Sequence, residues 1–138
     1  FYKIFDNVRN VATSSTSEVF EQIMNIGEGD VFIAITFPRY SKRTIKAAKY
    51  AHDKGATVIA LTDSHSAPII EYSDRILLAR SDMASFADSL VAPLSLINAL
   101  IVAIGIRRRN EISATFSQLE RIWSEYEVYE KSDEHENL

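Results

Sequence analysis

The residues in this chain best suited to chemistry lie at 36–44, TFPRYSKRT. Thr36, Ser41 and Thr44 supply hydroxyls, and Arg39 adds a guanidinium able to grip a phosphate through paired donors. A helix-period segment follows. Its first-turn N–H groups, having no intrahelical acceptors, can join those hydroxyls in cradling an anion. Pro38 removes one backbone donor from the loop. The same residues read equally well as a capped helix start carrying solvated basic side chains. A second polar turn, TDSHS at 62–66, holds Asp63 and Ser64. Asp63 suits a sugar hydroxyl or a general base, or it organises its own turn through local hydrogen bonds. With Tyr40 from the first turn, the candidate ligand-binding set is Thr36, Arg39, Tyr40, Ser41, Thr44, Asp63 and Ser64.

Other polar residues carry less. His65 stands in a loop with no visible partner, and His52 falls within a helical segment. Glu71 and Asp74 read as surface or helix-end charges. The three His are scattered, there is no Cys, and no carboxylates sit at ligand spacing, so no metal site is expected. With four Gly in the whole chain, no glycine-rich phosphate loop is present, and no cofactor is expected.

The turns must be positioned by the segments around them. VFIAI at 31–35, introduced by Gly29-Asp30, is a short apolar run with β-branched residues, which predicts a buried strand. TVIAL at 57–61 and RILLA at 75–79 predict two more. Between the first two lies a helix with Ser41 as N-cap, Ile45, Ala48 and Ala51 or His52 on one face, and Gly55 as the left-handed stop. Upstream, residues 1–6 resemble a last helical turn, VRNVA at 8–12 is a strand candidate, and Ser17 caps a helix that Gly27 ends. A brief helical piece is expected at 68–72. Strands alternating with helices imply βαβ units, a parallel sheet and right-handed crossovers. The two polar turns then sit at the carboxyl ends of neighbouring strands, where open α/β sheets bind ligands.

Residues 84–106 form a long, mostly apolar segment of about membrane-spanning length. Asp88, Pro93, Ser95 and Asn98 interrupt it, so a helix packed on the sheet and against a second subunit is preferred to a membrane span. Asn98 is placed to hydrogen-bond across that interface or to core backbone. Arg107, Arg108 and Arg109 suit its C-terminus. A last helix is expected from 112 to about 129, with Phe116, Leu119, Ile122, Trp123 and Tyr126 on one stripe and a frayed acidic tail beyond.

The chain has 138 residues, 46% hydrophobic and 25% charged, within ordinary globular values. A net charge of −4 argues against a nucleic-acid surface. The absence of Cys fits a cytoplasmic protein. The chain begins without Met, on FYKIFDNVR, and reads as a piece of a longer protein.

The run GDVFIAITFPRYSKRTIKAAKYAHDKGATVIALTDSHSAPIIEYSDRILLA resembles the second half of a sugar isomerase (SIS) domain, and more narrowly that of RpiR-type bacterial transcription regulators. The resemblance covers roughly residues 8–106. It implies an α/β, flavodoxin-like three-layer sandwich with a parallel sheet, here lacking its first strand, and with two long C-terminal helices. Residues 1–106 are then a partial effector-binding domain, and 107–138 its C-terminal helix and tail. The resemblance further implies a homodimer or higher homo-oligomer that takes a phosphosugar or small anion and meets DNA only through a separate N-terminal helix-turn-helix domain. By position, Thr36 replaces the first Ser of the family's Ser-x-Ser-Gly-x-Thr turn and Ser41 its Thr, while Pro38 and Arg39 stand in place of the second Ser and the Gly. The family's first strand would lie beside 31–35, so a partial sheet is expected, with an edge prone to pairing.

The leading expectation is therefore a non-enzymatic effector-sensing and dimerisation domain. An aldose–ketose phosphate isomerase is the alternative, with His65 or Glu71 as base. A structural dimerisation module with a vestigial site is the third reading.

Overall fold

In the computed structural model, which describes residues 1–2, 4–81 and 89–129, the apolar runs become a three-stranded parallel sheet. The strands are β1 (Val31–Ile35), β2 (Thr57–Thr62) and β3 (Arg75–Leu78), in the order β1-β2-β3. Val31 stands opposite Thr57 and Ile35 opposite Leu61, while Thr62 pairs with Leu78. Helix α1 (Thr16–Ile23) precedes β1, α2 (Lys42–Asp53) connects β1 to β2, and a 3-10 turn (Pro68–Tyr72) leads into β3. Helices α3 (Val91–Arg107) and α4 (Arg109–Glu125) close the described chain. It divides into two compact units, residues 10–100 and residues 1–9 with 101–138.

In the larger unit the register puts Phe32 and Ala34 of β1 and Val58 and Ala60 of β2 on one face. Ala48 and Ala51 of α2, with Ala67 and Ile69, share a core with Ala34, Val58 and Ala60. These contacts are built largely from alanine, so the helix backbone can lie close to the strands. Val58 and Ile69 are fully buried, each contributing about 1.5–3 kcal/mol through removal from water. A second cluster ties α1 to α2 through Val19, Ile23 and Ala47, with the Phe20 and Tyr50 rings edge to face at 5.6 Å. On the opposite face Val31, Ile33 and Ile35 are exposed.

Several boundaries differ from the expectations. Residues 8–12 form no strand, because Arg9 and Asn10 break the apolar run and no sheet edge takes them. The α1 cap is Ser15, whose hydroxyl accepts from the Glu18 N–H, so the helix begins before Ser17. It ends at Ile23 with Met24 as C-cap. Gly29, rather than Gly27, has the left-handed backbone, at φ 89°. The Asp30 carboxylate receives the Gly27 N–H at 3.0 Å and fixes the turn into β1. Gly55 does adopt φ 83° at the end of α2.

The long apolar helix starts at Val91, with Ser89 and Leu90 outside it and residues 84–88 outside the described residues. Pro93 falls in its first turn, where a missing N–H costs nothing. Among the described residues no single helix is long and apolar enough to cross a membrane. Nor is α3 enclosed. Pro93 is its buried residue, while Val91, Leu94, Val102 and Ile106 are exposed, as is Asn98.

In the smaller unit the arginine run is shared between helices. Arg107 ends α3 and Arg109 begins α4. Arg108 between them lies over the Phe5 ring, 4.8 Å from its centroid, and pairs with Glu111. Helix α4 stops at Glu125, short of 129, with Glu127 turning to φ 49°. On the expected stripe, Leu119 and Trp123 are half-buried, and Phe116, Ile122 and Tyr126 are exposed. The acidic tail lies outside the described residues.

Candidate effector site

Because β1 and β2 are adjacent and parallel, their carboxyl ends bring the two polar turns side by side. The first is built around Thr36. Its N–H donates to Leu61 O at 3.0 Å, holding the turn to β2, and its buried Oγ1 accepts the Ser41 N–H at 3.1 Å. Ser41 then caps α2, its Oγ accepting the Thr44 N–H at 3.3 Å. The amides of Lys42 and Arg43, in the first turn of α2, have no intrahelical acceptor. That first turn holds no acidic residue, and Lys42, Arg43 and Lys46 follow Arg39 in sequence. A positive field thus sits where the helix dipole is also positive, in a chain of net charge −4.

Arg39 is exposed and has φ 67°, a left-handed backbone. A glycine would adopt that backbone without strain, whereas Arg39 adds a cation there.

The second turn is joined to the first by one bond. The Tyr40 hydroxyl donates to Asp63 Oδ1 at 2.9 Å, and the buried Thr62 hydroxyl donates to the same oxygen at 3.3 Å. Partial burial of the phenol, then its bond to Asp63 and the nearby carboxylate charge, push the Tyr40 pKa above its ordinary value of 10.0. Ser64 serves its own loop, sharing a hydrogen bond of 2.8 Å with Ser66 Oγ and accepting the Ser66 N–H at 3.1 Å.

Six of the seven candidate residues therefore lie in adjoining turns, with Thr44 in the first turn of α2 and Tyr40 and Asp63 in direct contact across the turns. Thr62 was missed by sequence reasoning, since its role depends on a buried hydroxyl reaching the next side chain. His65 and Glu71 are exposed. No group of His, Asp and Glu among the described residues is placed to hold a metal.

A family model for the SIS domain matches residues 6–103. The chain belongs to the SIS domain family. This SIS chain is 29% identical over 111 residues to an uncharacterized HTH-type transcriptional regulator of Haemophilus influenzae, covering 78% of the chain and 38% of that protein. Its fold matches the sugar isomerase domain of an RpiR transcription factor from Sphaerobacter thermophilus, with a TM-score of 0.72 at 23% identity over 83% of the chain and 62% of that structure. It also matches the Vibrio vulnificus NanR protein complexed with ManNAc-6P, with a TM-score of 0.66 at 19% identity over 83% of the chain and 44% of NanR. The SIS chain thus spans less than two-fifths of the length of the Haemophilus regulator.

Proposed function

We propose that this SIS chain is the effector-sensing and self-associating part of an RpiR-type transcription regulator, and that it takes a sugar phosphate or related small anion in the crevice between the 36–44 and 62–66 turns. The observation that carries the reading is the pair of hydroxyl-lined turns at the carboxyl ends of β1 and β2, joined through Tyr40 and Asp63 beside the basic N-terminus of α2. The phosphate goes to Arg39, Ser41, Thr44 and the first amides of α2. The sugar hydroxyls go to Asp63 and Ser64, with Thr36 holding the turn. NanR, a relative of the same fold, has been captured with a phosphosugar. Binding shifts the balance between arrangements of associated copies, and so the DNA affinity of a helix-turn-helix domain elsewhere in a cytoplasmic protein. The isomerase alternative needs a base at the crevice, and its candidates, His65 in the 62–66 turn and Glu71 beyond it, are both exposed.

The test is thermal melting of the protein against a panel of sugar phosphates and small organic acids. A ligand at a hundred times its Kd adds about 2.7 kcal/mol, a readily measured rise in Tm. The expected result is a rise for one or more sugar phosphates that Arg39→Ala abolishes. No rise from a well-folded sample would leave a structural association module. Turnover of a sugar phosphate would make the protein an isomerase.

A further inference from the structure

We infer that Asp63, aimed by Tyr40, sets which anions the crevice accepts. It admits a monophosphate whose other polar groups are neutral hydroxyls, and rejects one bearing a second anionic group. This rests on the anion-site reading above and adds the chemical class of ligand to it.

The argument begins with how the carboxylate is held. Both hydroxyl donors, from Tyr40 and Thr62, converge on Oδ1. Oδ2 receives no hydrogen bond among the described residues and is the oxygen left to accept one from a ligand. Tyr40 is anchored in turn, packing against the core cluster of Ala34, Ala48 and Val58 while its hydroxyl reaches across to the second turn. Tyr40 and the cap residue Ser41 are consecutive, so an acceptor-only group stands at one wall of a crevice whose other wall is basic.

An ionised carboxylate accepts hydrogen bonds and repels anions. A sugar or polyol hydroxyl facing Oδ2 is attracted, whereas a ligand carboxylate or second phosphate there meets a like charge in a partly desolvated site. Tyr40 is a positioning residue in this scheme. Its phenol supplies a donor to Oδ1 and keeps the carboxylate turned towards the ligand.

Glucitol 6-phosphate and 6-phosphogluconate test this directly, because these open-chain probes differ only at C1, a hydroxymethyl in one and a carboxylate in the other. Calorimetric titration of the intact protein should give tighter binding of glucitol 6-phosphate by at least about tenfold. Asp63→Asn keeps the side chain's shape and its acceptor for the Tyr40 hydroxyl while removing the charge, and should narrow that ratio by about tenfold. Tyr40→Phe should narrow it by a smaller factor. A ratio that stays the same in Asp63→Asn, or in Tyr40→Phe if the first variant fails to fold, overturns the selectivity role while leaving the anion site standing. So does a wild-type preference for 6-phosphogluconate. If neither probe nor inorganic phosphate binds, the anion site falls, and the selectivity role with it.

Discussion

Arg39 occupies a backbone conformation that side chains with a Cβ avoid, at φ 67°, in the turn that leads into α2. Left-handed backbone costs a non-glycine residue about 1 kcal/mol. Strain kept in the turn proposed to bind the anion fits a side chain that repays it in binding. Arg39→Gly should therefore raise stability by about 1 kcal/mol in urea denaturation while losing the melting response to sugar phosphates. A variant no more stable than wild type would remove the strain argument. Tyr40 makes a separate prediction. Its folded-state pKa lies above the ordinary 10.0, raised by partial burial and then by the bond to Asp63. The native state thus holds this proton more tightly than the unfolded chain does. The associated stability is present in full below about pH 10 and is lost as pH rises through the folded value. Subtracting the Tyr40→Phe stability–pH curve from that of wild type should give a difference that is flat up to about pH 10 and declines above it. A difference flat through the alkaline range would show that the phenol is not held as described.

At the scale of elements, Asp74 shows how a residue that reads as a surface charge can do structural work. Its carboxylate accepts the Val58 N–H at 2.7 Å, and its own N–H donates to Val58 O at 2.8 Å, pinning β3 to the start of β2. Asp74→Ala leaves the amide of the fully buried Val58 without that acceptor. The expected cost is about 1–3 kcal/mol in a denaturant melt, and a change under about 0.5 kcal/mol would mean that water replaces the carboxylate. The strands themselves were legible, because VFIAI, TVIAL and RILLA are apolar runs between turn residues, but the burial expected of VFIAI holds on one face only, since Val31, Ile33 and Ile35 are exposed. Ser41 and Gly55 were legible at the ends of α2 because each has one dominant local role there. The cap of α1 was not. Ser14, Ser15 and Ser17 all have capping chemistry, and the choice depends on which hydroxyl meets the Glu18 amide. Residues 8–12 pair with no strand of the sheet, and Arg9 and Asn10 interrupt the apolar pattern that such pairing would bury. The candidate turns could be placed from sequence, but the Tyr40–Asp63 bond could not. It spans 23 residues and depends on the register that sets Ile35 beside Leu61.

At the scale of the whole molecule, helix α3 is apolar on nearly every side, and such helices are normally enclosed. Here Val102 and Ile106, one turn apart, are 59% and 72% exposed. A second copy brings the same stripe, and a two-fold contact can bury both at once. The proposed sensor would use such a contact, since a ligand that favours one arrangement of copies over another shifts the balance between them. Val102→Lys places a charge in that stripe. Leaving it there unpaired opposes burial, while a snorkelling lysine would still displace the apolar contact. Sedimentation equilibrium should show the dissociation constant for self-association rising at least about tenfold, with little change in the thermal melt, because an exposed site holds little of the fold together. The exposed β1 face supplies the control. Ile33→Lys alters an equally apolar surface, 37% exposed, on the sheet. If Ile33→Lys dissociates the protein and Val102→Lys does not, the copies meet through the open sheet, and the effector crevice at the end of β1 then borders the interface directly. If Val102→Lys alone dissociates it, the helix carries the contact.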